Sequence, residues 1–296
     1  MSQIENSISS IDLTDKSVLL RVDFNVPLKG SELLDDERLV RALPTINFIA
    51  ENAKSLKIIS HLGRPEETGL VQDKFSLKPV AKKLAELLGK EVNLVNSLKE
   101  LKSLKNISML ENIRFYKGEK QNEDKLSKAL AETADVFVMD AFGTAHRKQA
   151  STFGVTKFVK EACVGLLVEE ELKALEKIID SPEKPILGII GGSKISTKMK
   201  VLESLTRHVD HLIIGGALAN TCLKALGKNI GKSLYEEDFI ELAKIIIKNK
   251  KILLPSYVVV TKGRDANLEE KHIDDVEDDD IIFDIGQSSI EDFSQY

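Results

Sequence analysis

The residues best suited to chemistry in this 296-residue chain are its arginines. There are only eight, against 34 lysines, and six fall in the first half: Arg21, Arg38, Arg41, Arg64, Arg114 and Arg147. A guanidinium fork grips carboxylate or phosphate with two parallel hydrogen bonds, which an ammonium cannot do. A lysine-rich chain that uses arginine so sparingly places it for geometry. Four short motifs each carry one of these arginines beside turn residues. They are RVDFNVP (Arg21, Asp23, Asn25), SHLGRP (His61, Gly63, Arg64), LENIRFYKGE (Arg114) and DAFGTAHRKQAST (His146, Arg147). Cations gathered on one face repel unless an anion neutralises them. The pattern therefore predicts a pocket for a small polyanion, with Arg38 reaching in from the helical region that follows. His61 and His146 lie beside arginine, where positive surroundings lower an imidazole pKa and favour a neutral hydrogen-bond donor over a general acid.

A second signal lies further on. GIIGGSKISTKMK reads as a strand, then Gly191-Gly192, then a helix carrying Lys194 and Lys198 one turn apart on a shared face. LIIGGALANTC repeats strand, glycine pair and helix with Gly215 and Gly216. Glycines let backbone approach a ligand, and a helix N-terminus offers free N–H groups to phosphate. Together they predict the floor of a nucleotide site. LGKNIGKS is one residue short of a Walker A loop, and no GxGxxG occurs, which disfavours a dinucleotide oxidoreductase.

These motifs need a scaffold, and the chain supplies one. SVLLRVDF, KSLKIISHL, VNLV, ISMLEN and ADVFVMDAFG read as strands by length and β-branched content. RLVRALPTINFIAENA and LKPVAKKLAELLG have the three-and-four spacing of helices. The alternation implies parallel sheets covered on both faces, with ligands outside the carboxyl ends of the strands. The second half repeats the pattern with KPILGIIGG, HVDHLIIGG, KILLPSYVVVTK and DIIFDIG as strands. Val168–Ile179 reads as one amphipathic helix, with Leu172, Leu175, Ile178 and Ile179 on one side and Pro182 and Pro185 stopping it. Two α/β domains are expected, residues 1–170 and 184–296, joined by a connecting helix and linker over 171–183.

Composition narrows the function classes. The net charge is −5, with the acidic excess in residues 151–296, which argues against a nucleic-acid binder. No apolar stretch is long enough to span a bilayer, and the polar start lacks a signal-peptide pattern, so a cytoplasmic protein is expected. Two cysteines, Cys163 and Cys222, make no disulfide framework, and no cluster has metal-ligand spacing. The acidic run Asp274–Asp280 reads as a solvated loop.

RVDFNVP, SHLGRP, ENIRF, DAFGTAHR, GGSKISTK and GGALANT stand in the order and approximate spacing of the phosphoglycerate kinase family, which the chain resembles over nearly its whole length. The resemblance implies two Rossmann-like domains and reversible phosphoryl transfer between 1,3-bisphosphoglycerate and ADP, giving 3-phosphoglycerate and ATP. It implies Mg2+ as Mg-ATP or Mg-ADP, a monomer, and no nucleic-acid or membrane partner. By motif, Asp23, Asn25, Arg38, His61, Gly63, Arg64, Arg114 and Arg147 are the expected phosphoglycerate contacts. Arg38, Lys194 and Lys198 are the expected catalytic groups. Gly191, Gly192, Gly215 and Gly216, with the two lysines, are the expected nucleotide contacts. No residue of this sequence is assigned to metal. The family continues for about a hundred residues past FSQY, an extent typical of a small domain. On that basis the second domain is expected to be incomplete, with the ribose and metal contacts in the further segment. The alternative function is a catalytically incompetent form that binds 3-phosphoglycerate only. Gln149, Tyr257 and the absence of proline after Gly286 are smaller departures from the family pattern.

Overall fold

The computed structural model describes residues 6–180, 183–263 and 267–296. The chain divides into two compact units, Met1–Ala174 and Leu175–Tyr296.

The first unit is built on a six-stranded parallel sheet. Its centre is β1 (Ser17–Val22), followed by a small hairpin of β2 (Leu28–Lys29) and β3 (Glu32–Leu33). The remaining strands are β4 (Ser55–Ile59), β5 (Asn93–Val95), β6 (Ser108–Leu110), β7 (Val136–Asp140) and β8 (Glu161–Val164), and the sheet order is β5-β6-β4-β1-β7-β8. Helices α1 (Glu37–Asn52), α2 (Lys78–Leu88), α3 (Leu98–Ser103), α4 (Asp124–Ala131) and α5 (Phe142–Ala145) fill the crossovers. In β1, Val18, Leu20 and Val22 enter one apolar core with Leu39, Ile46 and Ile58. Leu19 enters the other, with Ile59, Leu110 and Phe137. Successive strand side chains point to opposite faces, so Arg21 shares the face of Leu19 and is buried with it. The chain adds β4, β5 and β6 on one side of β1 and then crosses to β7 and β8 on the other. The carboxyl end of β1 is thus the place where the topology reverses, the position at which open parallel sheets bind ligands.

Helix α6 (Leu166–Asp180) begins in the first unit, and the division between the units falls within it. Its first turn is anchored by side chains: Thr45 Oγ1 accepts from the Leu166 amide at 3.0 Å and Asp140 Oδ1 from the Val168 amide at 3.0 Å. Leu175 and Ile178 are exposed, whereas Leu172 is partly buried. The Ile179 side chain and Pro182 lie outside the described residues.

The second unit has β9 (Leu187–Ile190), α7 (Met199–His208), β10 (His211–Ile214), α8 (Gly216–Ala225), α9 (Ile240–Ile246) and β11 (Ile252–Leu253). Its parallel sheet has the order β11-β10-β9. The segment KILLPSYVVVTK is not one strand. It breaks at Pro255, which has no N–H for a ladder, and β12 (Tyr257–Thr261) joins a different sheet. There it pairs antiparallel with β13 (Glu269–His272) and β14 (Ile281–Ile285), and α10 (Gln287–Phe293) follows. The fold class is mixed α/β as expected, with this antiparallel sheet added. Both cysteines are free and buried, and burial raises each thiol pKa to about 12, so both are inert packing groups. Among the described residues no helix is long and apolar enough to cross a membrane.

The acidic run Asp274–Asp280 is not simply a solvated loop. Asp280 is fully buried and takes the Glu277 amide at 2.8 Å and the Lys271 ammonium at 3.0 Å. Lys262 reaches both Glu277 (2.7 Å) and Asp279 (3.1 Å). Two ammonium groups therefore hold the repelling carboxylates together. Gly231 packs against this turn with φ +54°, and a Cβ there would lie 2.1 Å from the Asp280 carbonyl oxygen and 2.6 Å from that of Glu277. Gly231→Ala is expected to destabilise the second unit by about 1–3 kcal/mol, since backbone cannot move aside cheaply. Urea unfolding followed in that unit measures it, and unchanged stability would contradict the packing.

Candidate functional site

Four strand ends and the first turn of α1 bring the candidate side chains of the first unit together. The loops after β1, β4 and β6 are tied to one another by polar side chains. Ser60 Oγ accepts from the Phe24 amide at 2.9 Å, and Asn25 Oδ1 accepts from the Gly63 amide at 2.8 Å. The fully buried Asn112 grips both sides of Leu62, accepting from its amide at 3.2 Å and donating to its carbonyl at 2.8 Å. Gly63 sits at φ +60°, where a Cβ would meet the Phe75 ring at 2.5 Å, so only glycine fits without displacing that ring. Its carbonyl accepts from Arg114 Nη1. A rigid cradle thus sets the direction of His61, Arg64 and Arg114.

Charge is the distinctive property of this cradle. Arg21 is 1% exposed, and burial lowers its pKa to about 10. Nε donates to Ser151 Oγ at 3.1 Å, Nη1 to the Val22 carbonyl, and Nη2 lies 3.2 Å from His61 Nδ1. Beneath, the fully buried Glu119 accepts from Ser151 Oγ at 2.5 Å and from the Ser151 amide at 3.0 Å. Burial raises the Glu119 pKa, opposed by those hydrogen bonds and by Arg21. His61 is itself buried, and burial together with Arg21, Arg114, Arg147 and Arg38 pushes its pKa down to about 2. Its ring is neutral at any working pH. Arg114 is 7% exposed, its Nε has no hydrogen-bond partner among the described residues, and burial and then Arg147 lower its pKa.

Arg38 projects from the first turn of α1 and pairs with Asp23 Oδ2 at 2.5 Å. Arg64 is exposed and Arg147 partly so; neither forms an ion pair among the described residues. Both act on Arg114 electrostatically. Five guanidinium groups therefore share one region with two carboxylates, Asp23 and Glu119, and a neutral histidine. A cavity of 310 Å3 opens beside Asp23, Arg38, Arg41, Asp140 and Phe142. A larger one, 630 Å3, lies between the β2–β3 hairpin and α2 and holds none of the candidate residues. His146 is exposed at the end of α5, and its ring has no hydrogen-bond partner among the described residues. The motifs contain Arg21, Glu119 and Ser151, but of the three only Arg21 is read for chemistry in the sequence; the structure brings all three together.

In the second unit the two glycine pairs do meet. The Gly215 amide donates to the Ile190 carbonyl and the Leu218 amide to the Gly192 carbonyl, each at 2.9 Å. Gly215 caps α8, whose first-turn amides follow directly. The lysines differ from expectation. Lys194 and Lys198 do not share a helix face, because α7 begins only at Met199 and Lys198 is its cap. The cause is local: Ile195 is fully buried, and Glu236 captures both Ser196 Oγ (2.6 Å) and the Ser196 amide (3.0 Å). These contacts hold residues 195–198 in a turn. Both lysines are exposed without ion pairs among the described residues, and Lys198 Cε lies 3.8 Å from the position of a Cβ on Gly192. Glu277, Asp279 and Asp280 are close enough to hold a cation, but Lys262 and Lys271 already neutralise them.

A sequence model of the phosphoglycerate kinase family matches residues 8–296. The phosphoglycerate kinase of Vibrio campbellii is 46% identical over 286 residues, covering 95% of this chain and 74% of the relative. That of Francisella philomiragia is 47% identical over 292 residues, covering 96% and 74%. Among solved structures, phosphoglycerate kinase from Coxiella burnetii superposes with a TM-score of 0.79 at 44% identity, covering 98% of this chain and 76% of that one. The enzyme from Pyrococcus horikoshii gives 0.84 at 27% identity, covering 98% and 77%.

The depressed His61 pKa has a consequence for stability. The folded chain keeps this ring neutral well below its ordinary value of 6.5, whereas the unfolded chain protonates it. Its contribution is retained above pH 6.5 and is lost as pH falls, by up to about 1.4 kcal/mol per pH unit until the folded value is approached. His61→Asn keeps an acceptor for Arg21 but cannot titrate. Its stability is expected to fall less steeply than wild type between pH 6.5 and 5 in urea titrations; equal slopes would refute the depressed pKa.

Proposed function

We propose a division of labour within this chain, which belongs to the phosphoglycerate kinase family and is an ATP-using phosphotransferase. The reaction is reversible phosphoryl transfer between 1,3-bisphosphoglycerate and ADP, giving 3-phosphoglycerate and ATP. The first unit's arginine group holds the phosphoglycerate. The observation that carries this reading is the surplus of guanidinium around a neutral His61, which a ligand with one carboxyl group and one or two phosphoryl groups would neutralise. Asp23 and the Asn25 side-chain amide face the hydroxyl and carboxyl end. His61, Arg64, Arg114 and Arg147 surround carboxylate and phosphate, with the Gly63 turn setting their spacing.

Arg38 is the group assigned to the transferring phosphoryl. Its side chain is half exposed, so exchanging Asp23 for a ligand buries no unpaired charge, and it stands at the first turn of α1 beside the cavity. Phosphoryl transfer needs little covalent help; it needs alignment and fixed positive charge over the developing negative charge. In the second unit, Gly191, Gly192, Gly215 and Gly216 offer backbone to the nucleotide. Lys194 follows the phosphoryl in flight, and Lys198, lying along Gly192, binds the nucleotide phosphates. Magnesium belongs to the nucleotide in this scheme. It prefers oxygen ligands and keeps company with phosphates. The carboxylate beside the lysine turn, Glu236, is committed to Ser196, so these residues do not make a metal set of their own. The reading includes a cytoplasmic monomer with no nucleic-acid or membrane partner. A form that only binds 3-phosphoglycerate is not favoured, given relatives near 46% identical across 95% of the chain.

Coupled assays in both directions test the assignments. Arg38→Ala is expected to lower kcat on the order of 100-fold or more with a smaller change in KM. Arg64→Ala should weaken 3-phosphoglycerate binding by calorimetry. Lys198→Ala should raise KM for ATP and leave that for 3-phosphoglycerate nearly unchanged. An unaltered kcat in Arg38→Ala would remove it from the transition state.

A further inference from the structure

We propose that Glu119 and Ser151, acting through Arg21, are positioning residues that fix His61 as the Nε2–H tautomer. A guanidinium has only donors. Arg21 Nη2, 3.2 Å from His61 Nδ1, therefore makes Nδ1 an acceptor, and the single proton of the neutral ring stands on Nε2. His61 Nε2 has no hydrogen-bond partner among the described residues and is left as a donor for an anionic oxygen.

The assignment depends on a competition at Nδ1. Asp23 Oδ1 lies 3.8 Å away, too far for a hydrogen bond but close enough to claim the proton if Arg21 withdrew. The ring would then present a lone pair to the ligand, repelling the oxygen it otherwise binds. What keeps Arg21 in place is a one-way relay. The Ser151 hydroxyl has one proton and gives it to Glu119 Oε1 at 2.5 Å, so its lone pair is free to accept from Arg21 Nε at 3.1 Å. Glu119 Oε2 takes the Ser151 amide at 3.0 Å, so both carboxylate oxygens accept and the hydroxyl cannot turn round. All four residues are buried, Glu119 and Ser151 fully, and water is not at hand to substitute. An amide in place of Glu119 would offer one acceptor where two are needed. That His61 serves as a donor to phosphoglycerate rests on the function proposed above; the tautomer itself does not.

Nitrogen-15 NMR of histidine-labelled protein reads the tautomer directly. Wild type is expected to show a pyrrole-type His61 Nε2 and a pyridine-type Nδ1; the reverse pattern overturns the proposal without any variant. In Ser151→Ala the protonated nitrogen should shift toward Nδ1, and KM for 3-phosphoglycerate should rise about tenfold with KM for ATP unchanged, as expected for one lost charge-assisted hydrogen bond. Glu119→Gln should move both readouts the same way and serves if Ser151→Ala does not fold. A folded variant with an unshifted His61 tautomer refutes the relay. If the wild-type tautomer is as stated and the variants shift it, but 3-phosphoglycerate leaves the His61 resonances untouched, the relay stands and the substrate assignment falls.

Discussion

Like charge held at close quarters is the constraint on which the first unit depends. Five guanidinium groups converge where the strands of a parallel sheet end, and two of them, Arg21 and Arg114, are almost wholly removed from water. A buried cation without a partner is among the most expensive features a fold can carry. Glu119 supplies the balancing charge below, Asp23 above, and carbonyls of Val22 and Gly63 take single N–H bonds between them. The balance is deliberately incomplete on the ligand side. Among the described residues Arg64 and Arg147 are left without ion pairs and Arg114 Nε without a hydrogen-bond partner. In the proposed function an anion arriving there completes that charge balance, which turns electrostatic strain into affinity and selectivity.

The backbone serves that arrangement. Because β1 is flanked by β4 and β7, three strand ends lie side by side, and polar side chains lace the loops after β1, β4 and β6 together. Asn112 and Asn25 each satisfy backbone groups of the SHLGRP turn. Glu111 does the same at the start of α2, taking the Leu77 amide at 2.7 Å and Ser76 Oγ at 2.6 Å. These bonds join segments far apart in the chain, so the loops behave as parts of the scaffold. Precision of that order is what alignment-driven catalysis requires.

Much of this was legible in the sequence, and the limits have physical causes. Strand ends announced themselves through apolar runs closing on Arg, Asp, Gly or Pro, and the arginines stood out by scarcity. Arg21 carried a further signal. It alternates with Leu20 and Val22 in a strand covered on both faces, so it had to be buried, and a buried arginine demands a buried anion. Which carboxylate answers that demand depends on contacts 98 and 130 residues away along the chain, to Glu119 and Ser151, and no local period records them. The turn at residues 195–198 is a similar case. Its sequence favours a helix, and only the distant Glu236 and the burial of Ile195 hold it otherwise. The split of KILLPSYVVVTK at Pro255 was, by contrast, written in the segment itself.

In the function proposed above the two units meet phosphate in different ways, and the chemistry of their ligands accounts for it. In the first, charge is delivered by side chains on a rigid cradle, at a site where a small ligand of two or three anionic groups must be recognised in a fixed orientation. Guanidinium forks and a single directed imidazole N–H discriminate carboxylate from phosphate and one end of the ligand from the other. In the second, the candidate surface is glycine backbone with two exposed lysines held on a turn. Backbone amides recognise phosphate by shape, and lysine is a compact point charge on a flexible stem. Such a stem can stay with a phosphoryl group while its bonding changes, which a buried arginine held at all three nitrogens, like Arg21, cannot. The proposed function therefore places rigid recognition and compliant charge on opposite partners of the transfer, with Arg38, half exposed and paired among the described residues with Asp23, as the first unit's compliant member.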